Sequence, residues 1–194
     1  AEGIERGADT LMLADDHRFV AITPGRKHVV DNSRATALGF VTALELMRGG
    51  LAGESVLVLG CGPVGLAAGR TLLDRGASVV LCDSDEVRAR AAHQAFGQNT
   101  PDSVRVVCTA SVTLEGYELI FDATDAGGFI EAAHLTPRTM VAAPGLPCAL
   151  TPDALAEHRD RILHDALEIG TATMAVQSAA ELAGGSAIKK AGEG

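Results

Sequence analysis

The chain has 194 residues, 47% of them hydrophobic and 21% charged, with a net charge of −9 at pH 7. This length holds one full core, or one domain plus part of another. The acidic balance argues against a nucleic-acid partner, which needs clustered Lys and Arg to neutralise phosphates.

Only three lysines occur, and two of them, Lys189 and Lys190, stand at the C-terminal end. No stretch is apolar enough to cross a bilayer, and the first residues lack a basic start followed by an apolar core. Cys61, Cys82, Cys108 and Cys148 are far apart, without the C-x-x-C spacing of metal or redox sites. They read as small buried hydrophobes of a reducing compartment. The expectation is a cytoplasmic protein with no membrane partner and no metal.

In chain order, residues 8–14 (ADTLMLA) and 19–23 (FVAIT) read as short strands separated by Asp15-Asp16-His17-Arg18. Residues 33–47 read as a helix, capped by Asn32 or Ser33 and stopped by Gly49-Gly50. From Glu54 onward the pattern alternates: strands at 55–60, 77–82, 103–108, 117–122 and 138–143, with helices at 63–75 and 85–96. A final helix is expected over 171–182, and a disordered Gly- and Ala-rich tail over 184–194. Alternation of this kind predicts an α/β fold with a doubly wound parallel sheet of Rossmann type, here over 51–183.

The stretch VLVLGCGPVG, residues 56–65, carries the most specific signal. A lone G-x-G-x-x-G is weak, because glycines also mark turns that bind nothing. Here an apolar, half β-branched run precedes Gly60, Gly62 and Gly65, and a helical pattern follows. A second strand, ASVVLCD, ends on Asp83, near the distance of roughly 20 residues at which a dinucleotide fold places its ribose-binding carboxylate.

Gly60 suits the tight turn, Gly62 a close approach by pyrophosphate and Gly65 helix-on-strand packing. With Cys61, Pro63 and Val64, these residues are the expected cofactor cradle. Asp83 repels a 2′-phosphate, and Ser84-Asp85-Glu86 rather than an arginine follow it, so NAD is favoured over NADP. Thr124 and Pro144, in loops that end later strands, are expected at the nicotinamide half. Asp122 and Gly145 stand beside them.

The segments LMLADDHRFVAI, VVDNSRATALGFVTALELM, VLVLGCGPVGLAAGRTLLDRG, ELIFDAT, APGLPCAL and LEIGTATMAV resemble, in order, segments of the pyrrolysine synthase (PylD) family. The resemblance runs from about residue 5 to residue 177, and APGLPCA followed by EIGTATM is its most specific part. It implies a Rossmann domain preceded by a mainly helical N-terminal domain, with the active site between them. It also implies NAD-dependent oxidation of 3-methylornithyl-N6-lysine. The terminal amine carbon gives a hydride to NAD, the resulting imine loses ammonia, and the α-amine closes a pyrroline ring with loss of water.

Members of that family carry a further region ahead of the segment resembling Ala1 to Thr10. On this reading residues 1–50 are the remnant of a substrate-side domain with a bridging helix, in either a fragment or a reduced member whose cleft another chain completes. Such a chain is expected to bind NAD yet turn its precursor over slowly or not at all by itself. Its expected partners are the small-molecule substrate and at most a second copy of itself.

The resemblance places Ala14, Asp15 and Asn32 at the substrate, with Asp15 as the catalytic candidate that holds the ammonium. Asp16 reads better as a solvated turn acid. An exposed Asp of ordinary pKa is a poor base at neutral pH, so Asp15 acts on this reading as an anchor for the cation. Glu168 and Thr171 to Thr173 are further candidates for the cleft. The lysine used by many amino-acid and shikimate-type dehydrogenases is missing, since Lys27 falls in a surface turn. The alternatives are another NAD-dependent dehydrogenase, of amino-acid or methylene-tetrahydrofolate type, or a non-catalytic NAD-sensing module.

Overall fold

The computed structural model describes residues 2–15, 18–25, 28–96, 103–108 and 114–191. Asp16, His17 and Lys27 therefore lie outside the described residues.

After a single helical turn, α1 (Glu2–Glu5), the chain forms β1 (Leu11–Ala14), β2 (Phe19–Ile22) and β3 (Val29–Asp31). These pair antiparallel in the order β1-β2-β3. Helix α2 (Asn32–Arg48) follows directly. Its cap is Asp31, one residue before the expected Asn32 and two before Ser33. Asp31 has extended backbone, and its carboxylate accepts the Ser33 and Arg34 amides at 3.0 and 3.4 Å. Gly49, in the left-handed region at φ 84°, ends the helix as its sequence position predicts.

The remainder is a six-stranded sheet: β4 (Ser55–Leu59), β5 (Ser78–Asp83), β6 (Val104–Cys108), β7 (Leu119–Asp122), β8 (Met140–Ala143) and β9 (Ile162–His164). Every pairing is parallel, and the order is β6-β5-β4-β7-β8-β9. That is the doubly wound order 3-2-1-4-5-6, whose direction reverses between β4 and β7.

Alternate residues explain why these strands read as continuous apolar runs. Val56 and Val58, Val79 and Leu81, and Leu119 and Phe121 pack with residues of α2, α3 (Pro63–Asp74) and α4 (Glu86–Phe96). Leu57 and Leu59, Val80 and Cys82, and Ile120 pack on the opposite face with Ile130, Leu150 and Ala154 of the second half. Ala154 belongs to α5 (Pro152–Glu157). Both faces are thus buried.

The strands β3 and β9 and the helix α5 are absent from the sequence reading, because runs this short leave no periodicity to detect. The last helix, α6 (Glu168–Ala191), is longer at both ends than 171–182. Asp165 accepts the Leu167 and Ile169 amides at 3.2 and 2.9 Å, starting the helix early.

Helices α2 and α6 join the two sheets. Phe40, Val41 and Leu44 of α2 belong to the main core, whereas Ala35 of α2 and Met174 of α6 pack with Ala21 and Val30 of the small sheet. At its far end α2 is tied down by Arg48, which binds Glu54 at 3.0 Å and Glu118 at 3.2 Å, and by Glu45, paired with Arg75. Among the described residues, no helix is long and apolar enough to cross a membrane.

Candidate functional site

The glycine turn stands at the carboxyl end of β4, where the sheet order reverses. The Gly60 amide donates to the Cys82 carbonyl at 2.8 Å and the Ala123 amide to the Leu59 carbonyl at 2.8 Å, so the turn is stitched to β5 and to the loop after β7. Gly60 adopts φ 90°, and a Cβ there would stand 2.7 Å from the Ala123 carbonyl oxygen. A Cβ on Gly65 would collide with the Gly60 carbonyl oxygen. Gly62, the N-cap of α3, has open space where a side chain would be and makes no side-chain cap. The amides at the start of α3 therefore face a free approach, the geometry that receives a phosphate.

That approach opens into a cleft of about 1050 Å³, at the upper end of the range for small-molecule sites and large enough for an extended ligand. The glycine turn from Gly60 to Pro63 forms its floor, Asp83 to Asp85 with Arg88 one end, and Thr124 to Ala126 with Phe129 the other. Of the residues expected to hold a cofactor, Gly60, Cys61, Gly62, Pro63, Asp83 and Thr124 line this cleft. Val64 packs instead against the core, Gly65 faces the end of β4, and Pro144 is half-buried beyond the cleft.

Asp83 does more than the sequence spacing suggests. It is buried, and its two carboxylate oxygens accept the Cys61 amide at 2.7 Å and the Asp85 amide at 2.8 Å. It fastens the glycine turn to the loop after β5, leaving further lone pairs toward the cleft. Phe129 and Arg88 were missed in the sequence, since neither belongs to a motif and only the fold brings them to the rim.

Below Thr124 the ends of β7, β8 and β9 meet around Asp122, which is fully buried. Its Oδ1 accepts the Thr124 amide at 3.1 Å and the Thr124 hydroxyl at 2.7 Å, and its backbone carbonyl accepts the Gly145 amide at 3.0 Å. Burial raises the Asp122 pKa, opposed by the Thr124 hydrogen bonds, the Ala149 amide and the nearby His164. His164 donates from Nδ1 to the Ala143 carbonyl at 2.7 Å. Burial likewise pushes the pKa of the half-buried Cys148 thiol up.

The substrate-side candidates lie apart from the cleft. Ala14 and Asp15 are exposed at the β1–β2 turn, where Asp15 accepts the Arg18 amide at 2.7 Å. Arg18 pairs with Asp31 at 3.6 Å, so Ala14, Asp15 and Asn32 share one end of the small sheet. Asn32 also adjoins α6, where a Cβ on Gly170 would stand 3.2 Å from its Oδ1. That places Asn32 at the start of the helix following β9, on the carboxyl-end side of the parallel sheet.

No family model matches the chain. It is 26% identical over 175 residues to pyrrolysine synthase of Methanosarcina barkeri and 23% identical over 174 residues to that of Methanosarcina acetivorans, in each case over 89% of this chain. The chain spans 62% and 63% of the length of these curated relatives.

Among solved structures it resembles quinate dehydrogenase from Corynebacterium glutamicum in complex with NAD, with a TM-score of 0.61 and 19% identity over 92% of this chain and 72% of that one. Shikimate dehydrogenase from Aquifex aeolicus gives 0.60 and 18% over 82% of this chain and 58% of that one. A shikimate dehydrogenase in complex with NADP+ gives 0.57 and 16%, over 81% and 59%. These neighbours share the Rossmann-like fold of this chain. The resemblance of its separate segments to the pyrrolysine synthase family therefore extends over 89% of this chain.

Proposed function

We propose that this chain is the dinucleotide-binding part of an NAD-dependent dehydrogenase of pyrrolysine synthase type, acting on the terminal amine carbon of 3-methylornithyl-N6-lysine. One observation carries the reading. The cleft at the sheet reversal combines an unobstructed helix start at Gly62 with a buried carboxylate, Asp83, at the end of β5, where dinucleotide folds hold the adenosine ribose. These residues fit NAD: the Cys61 to Pro63 segment and the first turn of α3 would hold the pyrophosphate, and Asp83 a ribose hydroxyl.

When bound, NAD supplies a hydride acceptor. The chain's own part is to bind and orient. Thr124, fixed by Asp122, and Phe129 bound the end of the cleft remote from Asp83, where they exclude water from the reacting carbon. Asp15 and Asn32 are the proposed anchors of the substrate, Asp15 through its charge on the ammonium and Asn32 through its amide. The hydride leaves the amine-bearing carbon only from the deprotonated amine, because a cationic nitrogen opposes its departure. Asp15 therefore serves only to hold the ammonium before its proton is lost, and a cytoplasmic small-molecule enzyme remains the proposed context.

Calorimetry with NAD and NADP on the purified chain, followed by absorbance of reduced dinucleotide and product mass with the precursor added, tests the proposal. The expected result is tighter binding of NAD than NADP, with slow precursor-dependent reduction at most on this chain alone, any product having the mass of pyrrolysine. Binding of neither dinucleotide, or reduction driven by a different amino acid in preference to the precursor, would overturn it.

A further inference from the structure

The cleft's adenosine end holds a charged pair that the fingerprint does not include. Asp85 caps α4: its amide donates to Asp83, and its own Oδ1 accepts the Val87 amide at 2.7 Å and the Arg88 amide at 3.4 Å at the start of that helix. Its Oδ2 stands 3.8 Å from Nε of Arg88. Both residues line the cleft, and the Arg88 side chain is 56% exposed. Arg88 is thus a guanidinium at the rim beside Asp83, neutralised on its Nε side by a carboxylate that the helix cap immobilises.

We infer that Asp85 sets the cofactor preference by engaging Arg88, so that the arginine is withheld from a 2′-phosphate; the inference rests on the dinucleotide reading of this cleft. Two carboxylates and one guanidinium then face this end of the site, and their sum is negative. A phosphate entering there meets repulsion from both acids and only a compensated cation. A ribose hydroxyl carries no charge and escapes this penalty. Asp83 alone would repel a phosphate, but a freed arginine five residues later would counter it. Asp85 removes that counterweight.

The substitution Asp85→Asn isolates the charge, because Asn caps a helix as well as Asp. Isothermal titration with NAD and with NADP on the wild-type chain, on D85N and on D85N/R88Q gives the ratio of the two affinities. Release of Arg88 should shift that ratio toward NADP by about tenfold, the size of one hydrogen bond to a charged group, and R88Q should return it. Circular dichroism and melting of each variant confirm that the fold is kept. An unmoved ratio in D85N, or a shift that persists without Arg88, would overturn the inference while leaving NAD binding intact. A wild-type chain that binds neither dinucleotide would overturn the proposed function and this inference together.

Discussion

The parallel sheet and the small antiparallel sheet are built on opposite terms. In the parallel sheet Val56, Leu57, Val58, Leu119, Ile120 and Phe121 are completely buried, each stabilising the fold by roughly 1.5–3 kcal/mol. The small sheet buries Ala21 and Val30 against Ala35 and Met174 and little else. Its other face carries Leu11, Leu13, Val20, Ile22 and Val29, and of these Leu13 and Val29 are 50% exposed. The contrast shows where the chain is self-sufficient. The cleft at the sheet reversal stands on a core closed on both faces, whereas the end of the small sheet that carries Asp15 depends on α2 and α6 for its position.

The sharpest way to break this comparison is at the cradle. Gly65→Ala forces a methyl group into the Gly60 carbonyl, so the turn or α3 must move, at a cost of about 3 kcal/mol. Dinucleotide binding should be lost in calorimetry, and the urea midpoint should fall. Retained binding would mean that the turn is more plastic than its packing indicates.

A second effect should be confined to the small sheet. Met174→Ala empties the centre of its core, a change that costs about 2–3 kcal/mol. Hydrogen exchange should quicken in β1 to β3 while protection in β4, β5 and β7, and dinucleotide affinity, stay close to wild type. Uniform loss of protection across both sheets would show a single cooperative unit.

The smallest effect concerns the buried carboxyl under Thr124. Because the folded pKa of Asp122 is raised by burial, the folded chain holds this proton more tightly than the unfolded one. Its contribution to stability is then fully present below the unfolded value near 4 and is lost as pH rises through the folded value. Asp122→Asn keeps the acceptor for Thr124 without the charge. Its melting temperature should exceed that of wild type at neutral pH, with the gap closing as the pH falls. A gap that did not vary with pH would mean that ionisation of Asp122 has no part in stability.

Local chemistry made the first half of the parallel sheet legible. A run such as VLVLG is long, β-branched and ended by glycine, and each of those properties acts within a few residues. The same holds for Asp83, whose distance along the chain from Gly60 follows from one helix and one strand. Strands of three residues such as β3 and β9 are stabilised by their neighbours across the sheet and leave no periodicity of their own. The cap at Asp31 in place of Asn32 turned on a backbone angle, which side-chain type does not reveal when two or three good caps stand in a row.

The candidate site divides in the same way. Composition and spacing determined the fold class, the glycine cradle and the acid at the end of β5, because these depend on contacts close in sequence. Tertiary structure alone decided that Phe129 and Arg88 line the cleft while Pro144 does not, that Asp83 is shared between two backbone amides, and that Asp122 lies buried where three strand ends converge. Each of these is a matter of which distant segments share a volume, and burial and electrostatics take their sign from that volume.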